Sequence, residues 1–459
     1  MIGESDAGWL LAHGRGRRLL QVRAGAVVLT LCLATVGGAS AQNPEAFVAA
    51  STDLFTNLTL IDGRGGPPQP NSAILVWNGR IRAAGPRSSV QVAQGTRVVD
   101  LEGAFVVPGY IDAHAAPRDS ATLAAMLAVG ITGVREAMMP LDRFVARGRK
   151  SIAGGPLPTV FIGGPILEGP GGLGGLVIAS PDAIDGVMDR LVGEYDARFV
   201  SVAGSVPPEW VRDIARVARR GGVPVWIEGR ARGWLTSLRM GADIVAGLVS
   251  LDPDLLSEAS RASYSATLTR SPAAALTEWL GLLDPHGPEV DVAISALLSR
   301  DAAVVPLLAA TESPLRCVSA GEGCGGRSEA ERNALLRNWP VALAFTRALY
   351  DEEVRLLVGS GLPSNPASAA RFHREMELLV EAGVPPIDVL SMATRNGAIA
   401  LNELHRRGTI EADKAADFVI LAADPTVDIR NARQVRAIVL DGRGWVPLPE
   451  GGFQRIRFH

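Results

Sequence analysis

The sequence predicts an α/β protein built on a (β/α)8 TIM barrel, with a small β-rich domain beside it. Helical stretches alternate with short apolar runs from Ala104 to about residue 400, a pattern typical of parallel α/β folds. Hairpin signals precede this region, and β-like runs return after it. The 459 residues are enough for a large barrel and a smaller domain.

The N-terminal β-rich part is predicted from three apolar runs that end in turn residues. Strands are expected over 54–61, 72–77 and 81–84. The first run ends in Asp62-Gly63 and the second in Asn78-Gly79, and Asn-Gly between apolar segments favours a hairpin because both residues tolerate positive φ. We therefore expect a small antiparallel sheet.

The central region carries the alternating helices and strands of the predicted barrel. Helices are expected over 120–129, 181–192 and 207–220, and strands over 131–134, 157–162, 199–203, 223–227, 244–249, 304–308 and 355–358. A doubly wound open sheet is the alternative. The segment from Gly169 to Gly174 spells Gly-x-Gly-x-x-Gly, but Pro170 lies inside it and no helix-forming segment follows, so we interpret it as a flexible loop.

The C-terminal part begins with two helices and returns to β structure. The helices are expected over 372–383 and 387–400, and strand character over 408–410, 416–421 and 435–440, with Asp441-Gly442 as a turn.

The segment 104–117 places polar side chains at the end of a predicted strand. An apolar run enters Pro108-Gly109, and a second run delivers Asp112 and His114. Residues at i and i+2 share one strand face, so both side chains are expected to face the same site.

This segment resembles the Pro-Gly-x-Ile-Asp-x-His-x-His motif of the metal-dependent amidohydrolase superfamily, in its imidazolonepropionase-like and Xaa-Pro dipeptidase-like branch. Residues 385–396, 408–411 and 416–421, followed by Asp424-Pro425, match the closing segments of the family, although Asp413 replaces a usual glycine. The resemblance implies a barrel over 108–405 and a composite β-sandwich formed by 50–107 and 406–450.

The family hydrolyses C–N bonds with one or two divalent metals that activate water. The positions that the resemblance assigns to this chemistry are largely replaced here. Four residues stand where the family has a histidine: Ala116, Leu173 in the Gly171–Gly174 loop, Glu228, and Gly247 at the end of the segment 243–247. Ser201 stands where the family has a carboxylated lysine, and Gly361 where it has the acid/base aspartate.

Other residues offer few substitutes for the missing ligands. The only lysines are Lys150 and Lys414, and both lie outside the predicted strand ends. Besides His114, the histidines after residue 41 are His286, His373, His405 and His459. For His373 the resemblance implies a structural or pocket-edge role.

A weak mononuclear site remains as an alternative. His114 and Glu228, with Asp112 or Glu136 nearby, would hold a single divalent metal such as zinc, but two firm ligands fall short of the usual catalytic set. The simpler interpretation pairs His114 with Asp112, Glu228 with Arg230 or Arg232, and Arg135 with Glu136 as an ion pair at the barrel mouth.

The N-terminus predicts export. Basic residues precede an apolar run from Ala24 to about Val36, and Ala39-Ser40-Ala41 follows, which together are typical of a signal peptide over 1–41 that is cleaved after Ala41. We expect a periplasmic or secreted protein without a membrane span after cleavage; an uncleaved anchor is the alternative, and the twin-arginine route stays open.

The charge of the chain indicates what it binds. The formal net charge is −3, and removal of 1–41 makes it more negative because that segment holds more basic than acidic residues. Nucleic acid is therefore not an expected partner, and the expected ligand is a small molecule or peptide at the barrel mouth. A homo-oligomer is left open.

Two cysteines remain after the signal segment, Cys317 and Cys324. Their short glycine-rich spacing and the exported setting favour a disulfide over two free thiols, and no second Cys or His pair supports zinc.

The leading hypothesis is an exported amidohydrolase-like pseudoenzyme that binds a ligand without the metal centre. The alternative is an active dipeptidase or imidazolonepropionase-like enzyme that uses His114 and Glu228. A third hypothesis is metal-free acid/base chemistry by the same pair with Ser360 nearby, which lacks a clear oxyanion stabiliser.

Overall fold

The computed structural model describes residues 52–137, 139–140, 156–172, 174–195, 197–228, 234–248, 252–270, 272–313, 315, 329–361, 365–449 and 451–456. These residues form an α/β structure with one mixed eight-stranded sheet and two parallel sheets of seven and three strands. The predicted signal segment and both Cys317 and Cys324 lie outside the described residues.

The eight-stranded sheet joins strands from both ends of the chain. Its strands are β1 (Thr52–Leu60), β2 (Gln69–Trp77), β3 (Arg80–Pro86), β4 (Arg97–Pro108), β15 (Phe418–Leu421), β16 (Val435–Leu440), β17 (Arg443–Pro447) and β18 (Phe453–Arg455). Their order is β18-β17-β16-β15-β4-β1-β2-β3. Phe55 and Phe418 meet edge to face with centroids 5.2 Å apart, so the core of this sheet also combines the two ends.

The two parallel sheets form the TIM-barrel-like part. One contains β5 (Tyr110–Ala115), β6 (Ile131–Glu136) and β7 (Thr159–Ile162). The other contains β8 (Leu167–Glu168), β9 (Leu176–Val177), β10 (Val200–Ala203), β11 (Val225–Glu228), β12 (Ile244–Ala246), β13 (Ala303–Val305) and β14 (Arg355–Leu356). Most of these strands are buried on both faces, as expected where helices cover a parallel sheet, but Val177 of β9 is 41% exposed.

Helices follow most of the parallel strands. They are α1 (Ser120–Ala128), α2 (Ile184–Asp189), α3 (Pro208–Arg220), α4 (Trp234–Met240), α5 (Glu258–Arg270), α6 (Pro272–Leu282), α7 (Pro288–Ser299), α8 (Leu308–Glu312), α9 (Glu329–Asp351), α10 (Ala370–Glu381), α11 (Pro386–Ser391) and α12 (Gly397–Ala400). None of the helices in the described ranges is long and apolar enough to cross a membrane.

Several predicted strands are shorter than expected, and one is absent. The predicted strand 304–308 stops at Val305, because Leu307 adopts a left-handed backbone with φ of 57° and α8 starts at Leu308. The segment 408–410 forms no strand. Gly408 has φ of +92° and packs against Ala398, a conformation that an extended strand does not contain.

The glycine-rich segment after β8 is a loop, as expected. It leads into β9 and not into a helix, so the dinucleotide interpretation fails on the local structure. The Glu168 carboxylate accepts the backbone N–H groups of Gly174 at 3.0 Å and Gly175 at 2.8 Å, and these bonds fix the loop beside the ends of the strands.

Candidate functional site

Asp112 and His114 lie on β5 and are both buried. Asp112 Oδ1 accepts the backbone N–H groups of His114 at 3.1 Å and Ser360 at 3.0 Å, and Asp112 Oδ2 accepts the Ser360 hydroxyl at 2.5 Å. Burial raises the pKa of the Asp112 carboxyl, and the bonds from Ser360 oppose this rise. The predicted contact between Asp112 and His114 therefore exists, but it uses the backbone of His114 and leaves the imidazole to another partner.

The imidazole of His114 contacts Glu228 at the end of β11. His114 Nε2 lies 2.8 Å from Glu228 Oε2, so the two residues that the sequence singled out are brought together. The second oxygen, Oε1, contacts the guanidinium of Arg135 and accepts the Ser201 hydroxyl at 3.1 Å. Arg135 Nη2 also donates to Ser201 Oγ at 2.7 Å. A four-residue polar cluster results, formed by His114, Arg135, Ser201 and Glu228, which we call the Glu228 cluster.

Arg135 is the cation of the Glu228 cluster and is fully enclosed. Its side chain, like that of Glu228, has no solvent exposure. The guanidinium carbon lies 3.8 Å from the ring centroid of Trp226 and 4.4 Å from that of Phe199, and both aromatic faces favour a cation at this distance. Arg135 pairs with Glu228 and not with Glu136, so the expected ion pair within the Arg135-Glu136 dipeptide is wrong.

Opposite charge determines the ionisation of Glu228. Burial alone would raise the pKa of its carboxyl, but Arg135 and then His114 outweigh burial and hold that pKa well below its usual range. Glu228 is therefore a carboxylate whose charge is matched by a resident guanidinium. The expected partners Arg230 and Arg232 lie outside the described residues.

The resemblance assigns the family acid/base aspartate to the position of Gly361, which follows β14. Gly361 has φ of +85°, and a Cβ atom there would lie 2.6 Å from Ala310 Cβ. Any L side chain would be strained by both the backbone and the contact. The backbone at this point has therefore adapted to glycine.

The other positions implied by the resemblance also lack ligating side chains. Ser201 is part of the Glu228 cluster, Gly247 follows β12 with φ of +93°, and Ala116 is half-buried after β5. Leu173 lies outside the described residues. Glu136, the remaining weak candidate, is 1% exposed, and its backbone lies in register with that of Ala115 where β6 pairs with β5.

The remaining histidines and lysines lie away from the Glu228 cluster. His286 and His405 are exposed, and Lys414 pairs with Glu411 at 2.9 Å. His373 is buried on α10, and its Nε2 lies 2.9 Å from the carbonyl of Val129. Burial lowers its pKa to about 4, in keeping with the structural role that the resemblance implies. Lys150 and His459 lie outside the described residues.

The Glu228 cluster does not fit a catalytic metal. A metal-ligating imidazole normally donates its second N–H to a fixed acceptor, but the buried Nδ1 of His114 has no hydrogen-bond partner. One oxygen of Glu228 contacts the Arg135 guanidinium, which would repel a divalent cation. Within the described ranges, no group of three or more His, Cys, Asp or Glu side chains is placed to hold a metal ion.

Glu375 is a buried ionisable residue that the sequence did not single out. From α10 it accepts the backbone N–H groups of Leu308 at 3.0 Å and Ala309 at 2.6 Å, just after the left-handed Leu307. Burial raises its pKa to about 7, and those backbone bonds oppose the rise. The sequence did offer a signal for this buried residue, because Glu375 lies in the centre of an amphipathic helix and on its apolar side.

Comparisons with known proteins give one family match and several solved structures of the same fold. Residues 343–444 match the model of the amidohydrolase family. A search of curated sequences finds no match.

Solved structures with the same fold include several hydrolases. A Xaa-Pro dipeptidase with methionine bound in its active site aligns with a TM-score of 0.65 and 17% identity over 85% of this chain and 99% of that chain. A putative prolidase from Bifidobacterium longum aligns with a TM-score of 0.63 and 20% identity over 88% of this chain and 96% of that chain. The ochratoxinase of A. niger aligns with a TM-score of 0.61 and 15% identity over 86% of this chain and 95% of that chain.

At such identities the structural likeness establishes the fold alone, and the family model matches less than half of the chain. The chain therefore has the fold of prolidase-like amidohydrolases and matches the amidohydrolase family model over residues 343–444, in line with the resemblance in its sequence.

Proposed function

We propose that this protein is an amidohydrolase-fold protein that no longer hydrolyses C–N bonds with a metal, and that it binds a small molecule or peptide at the mouth of its barrel. The observation that carries the proposal is the neutralisation of Glu228 by Arg135 inside the site. A carboxylate with an enclosed arginine as its partner has no free charge to attract a divalent cation.

The chemistry of the neighbouring residues supports the same conclusion. Ser201 stands where relatives carry a carboxylated lysine, and its hydroxyl bonds to Glu228. Gly361 stands where a carboxyl would move protons to the leaving nitrogen, and its backbone disfavours any replacement. The side chains that would activate water and protonate the leaving group are therefore both replaced.

The proposal includes a closed barrel and a composite β-sandwich domain. Closure is supported by two backbone bonds between the parallel sheets, from Ala113 N to Val358 O at 2.9 Å and from Arg198 N to Ile162 O at 3.2 Å. The pairing of β4 with β15 supports a domain shared by both chain ends. Export to the periplasm or the medium rests on the N-terminal sequence alone.

Two measurements on the purified protein test the proposal. Elemental analysis is expected to find zinc, manganese and iron well below one equivalent, even after incubation with each metal and gel filtration. A panel of Xaa-Pro dipeptides, other dipeptides and cyclic amides is expected to give no turnover above a blank, with or without added metal. A stoichiometric metal, or metal-dependent turnover, would refute the proposal.

The active alternative uses the 2.8 Å contact between His114 Nε2 and Glu228 Oε2 as a rearranged mononuclear site. It requires that His114→Ala and Glu228→Ala each abolish turnover of a substrate in the panel. The control is His405→Ala, which changes an exposed histidine and leaves the Glu228 cluster intact. Turnover that is lost in both cluster variants and kept in the control would establish the alternative.

A further inference from the structure

A cavity of about 300 Å³ lies between helices α4 and α7, away from the Glu228 cluster. Leu235 and Arg239 line it from α4, and Glu289 and Val292 line it from α7. The other lining residues come from the start of α7, from α5 and from the short turn Pro253–Leu255. Its volume is at the lower end of the range for small-molecule sites, about 300–1,000 Å³.

Charged groups of both signs line this cavity without neutralising one another. Arg239 and Arg261 are basic, and Asp254 and Glu289 are acidic. Within the described part of the chain, the side chains of Arg239, Asp254 and Glu289 form no ion pair or hydrogen bond. Because these side chains do not pair with one another, two cations and two anions line the cavity and can contact a ligand.

The backbone around the turn holds one of these charges, the Arg261 guanidinium, in place. Arg261 donates from Nε to the carbonyl of Leu256 at 2.9 Å and from Nη2 to the carbonyl of Asp254 at 3.4 Å. The turn itself is fixed by the Asp252 side chain, which accepts the backbone N–H of Asp254 at 2.9 Å. The Arg261 guanidinium is therefore positioned before a ligand arrives, which reduces the entropy lost on binding.

An apolar wall completes the cavity. Leu235 is 5% exposed, and Val292 is 48% exposed. Val292 is one of few large apolar side chains in the described residues with such exposure, and it lies on the same face of α7 as Glu289, because residues three apart share a helix face. An aliphatic group that covers Val292 would remove apolar surface from water.

We propose that this cavity binds a free aliphatic α-amino acid in its zwitterionic form. The carboxylate contacts the guanidinium groups, the ammonium contacts the two acidic side chains, and the aliphatic side chain packs on Leu235 and Val292. Guanidinium groups bind carboxylates with paired hydrogen bonds, and the acids exclude ligands that carry only negative charge. The proposal does not depend on the chemistry at the barrel mouth.

Calorimetric titration of the full chain with leucine tests the proposal. We expect saturable binding of one leucine, and affinity at least about tenfold weaker for leucinamide, which lacks the carboxylate, and for N-acetylleucine, which lacks the ammonium. Equal affinity for all three compounds, or no saturation by about 10 mM leucine, would overturn the proposal.

Variants with matched controls locate the site. Arg239→Gln and Glu289→Gln are each expected to weaken the affinity for leucine at least about tenfold. The controls are Arg220→Gln, also an arginine in a last helical turn, and Glu209→Gln, which sits second in α3 as Glu289 does in α7. The controls lose the same helix-end charge but should bind leucine as the unaltered protein does.

The outcome also separates this cavity from the barrel mouth. His114→Ala alters the Glu228 cluster and should leave leucine affinity unchanged. Leucine binding that is lost in His114→Ala and kept in Arg239→Gln would place the amino acid at the mouth and overturn the inference. Equal losses in Arg239→Gln and Arg220→Gln would show a general charge effect and would also overturn it.

Discussion

Replacement of Glu228 by glutamine tests whether Arg135 depends on that carboxylate. Glu228→Gln keeps the shape of the side chain but removes its charge, so Arg135 stays buried between Phe199 and Trp226 with no counterion. His114 and Ser201 keep hydrogen-bond partners in the variant, so the main change is electrostatic. We expect the folded state to lose stability and not to lose its secondary structure.

The size of this loss follows from the complete burial of both partners. Breaking a buried pair by removing one charge costs about 3–5 kcal/mol, because the other charge stays desolvated. Replacing both residues by apolar ones removes that uncompensated charge, so Arg135→Met combined with Glu228→Met should cost less than the sum of the two single changes. We expect a coupling energy of about 2 kcal/mol or more.

Urea unfolding, followed by tryptophan fluorescence and by circular dichroism, measures these free energies. The matched control is Asp351→Asn, which breaks the half-exposed pair with Arg347 on α9 and should cost about 0–1 kcal/mol. A loss below about 1 kcal/mol for Glu228→Gln, or a coupling energy near zero, would refute the idea that Arg135 is the resident cation of this site.

Three further outcomes follow from other buried groups. The folded pKa of Glu375 is about 7, above its ordinary value of 4.5, so the contribution of this carboxyl to stability is full below pH 4.5 and is lost as pH rises through about 7. In urea titrations, the stability difference between the unaltered protein and Glu375→Gln should therefore fall over that pH window. A difference that does not change with pH would contradict this. The folded pKa of His373 is lowered to about 4, so the stability advantage over His373→Gln should disappear as pH falls from about 6.5 to about 4, and a constant advantage would contradict it. Gly361→Asp should destabilise the fold by about 1–3 kcal/mol without restoring turnover, and Ala310→Gly should relieve part of that cost; a stable, active Gly361→Asp would show that the backbone accepts the family aspartate.

Local patterns predicted those parts of the fold where turn chemistry and apolar runs agree. The Asn78-Gly79 hairpin and the strand Val435–Leu440 appear as expected. Helix α5 was missed because Ser, Thr and Ala residues dominate it and only Tyr264 is buried, so it shows no apolar periodicity. Its place in the fold comes from packing against α6 and not from its own sequence pattern.

The contact between His114 and Glu228 was predictable because parallel strands end at the same edge of a sheet. The role of Arg135 was not, because an arginine that follows an apolar strand looks like a residue of the rim. Only the three-dimensional arrangement brings Phe199 and Trp226 against its guanidinium. Glu375 escaped prediction for a related reason, since its partners are backbone groups from a distant segment.

The pairing of β4 with β15 has a consequence for how the protein is made. β4 lies between β1 and β15 in the sheet, so its second edge finds its partner only after about 300 more residues have left the ribosome. Until then, Val106 and Val107 present an apolar, unpaired edge that invites association with other chains. Nascent chains should therefore depend on chaperones until Phe418–Leu421 has been synthesised, and truncation before β15 should yield aggregates and not a smaller folded domain.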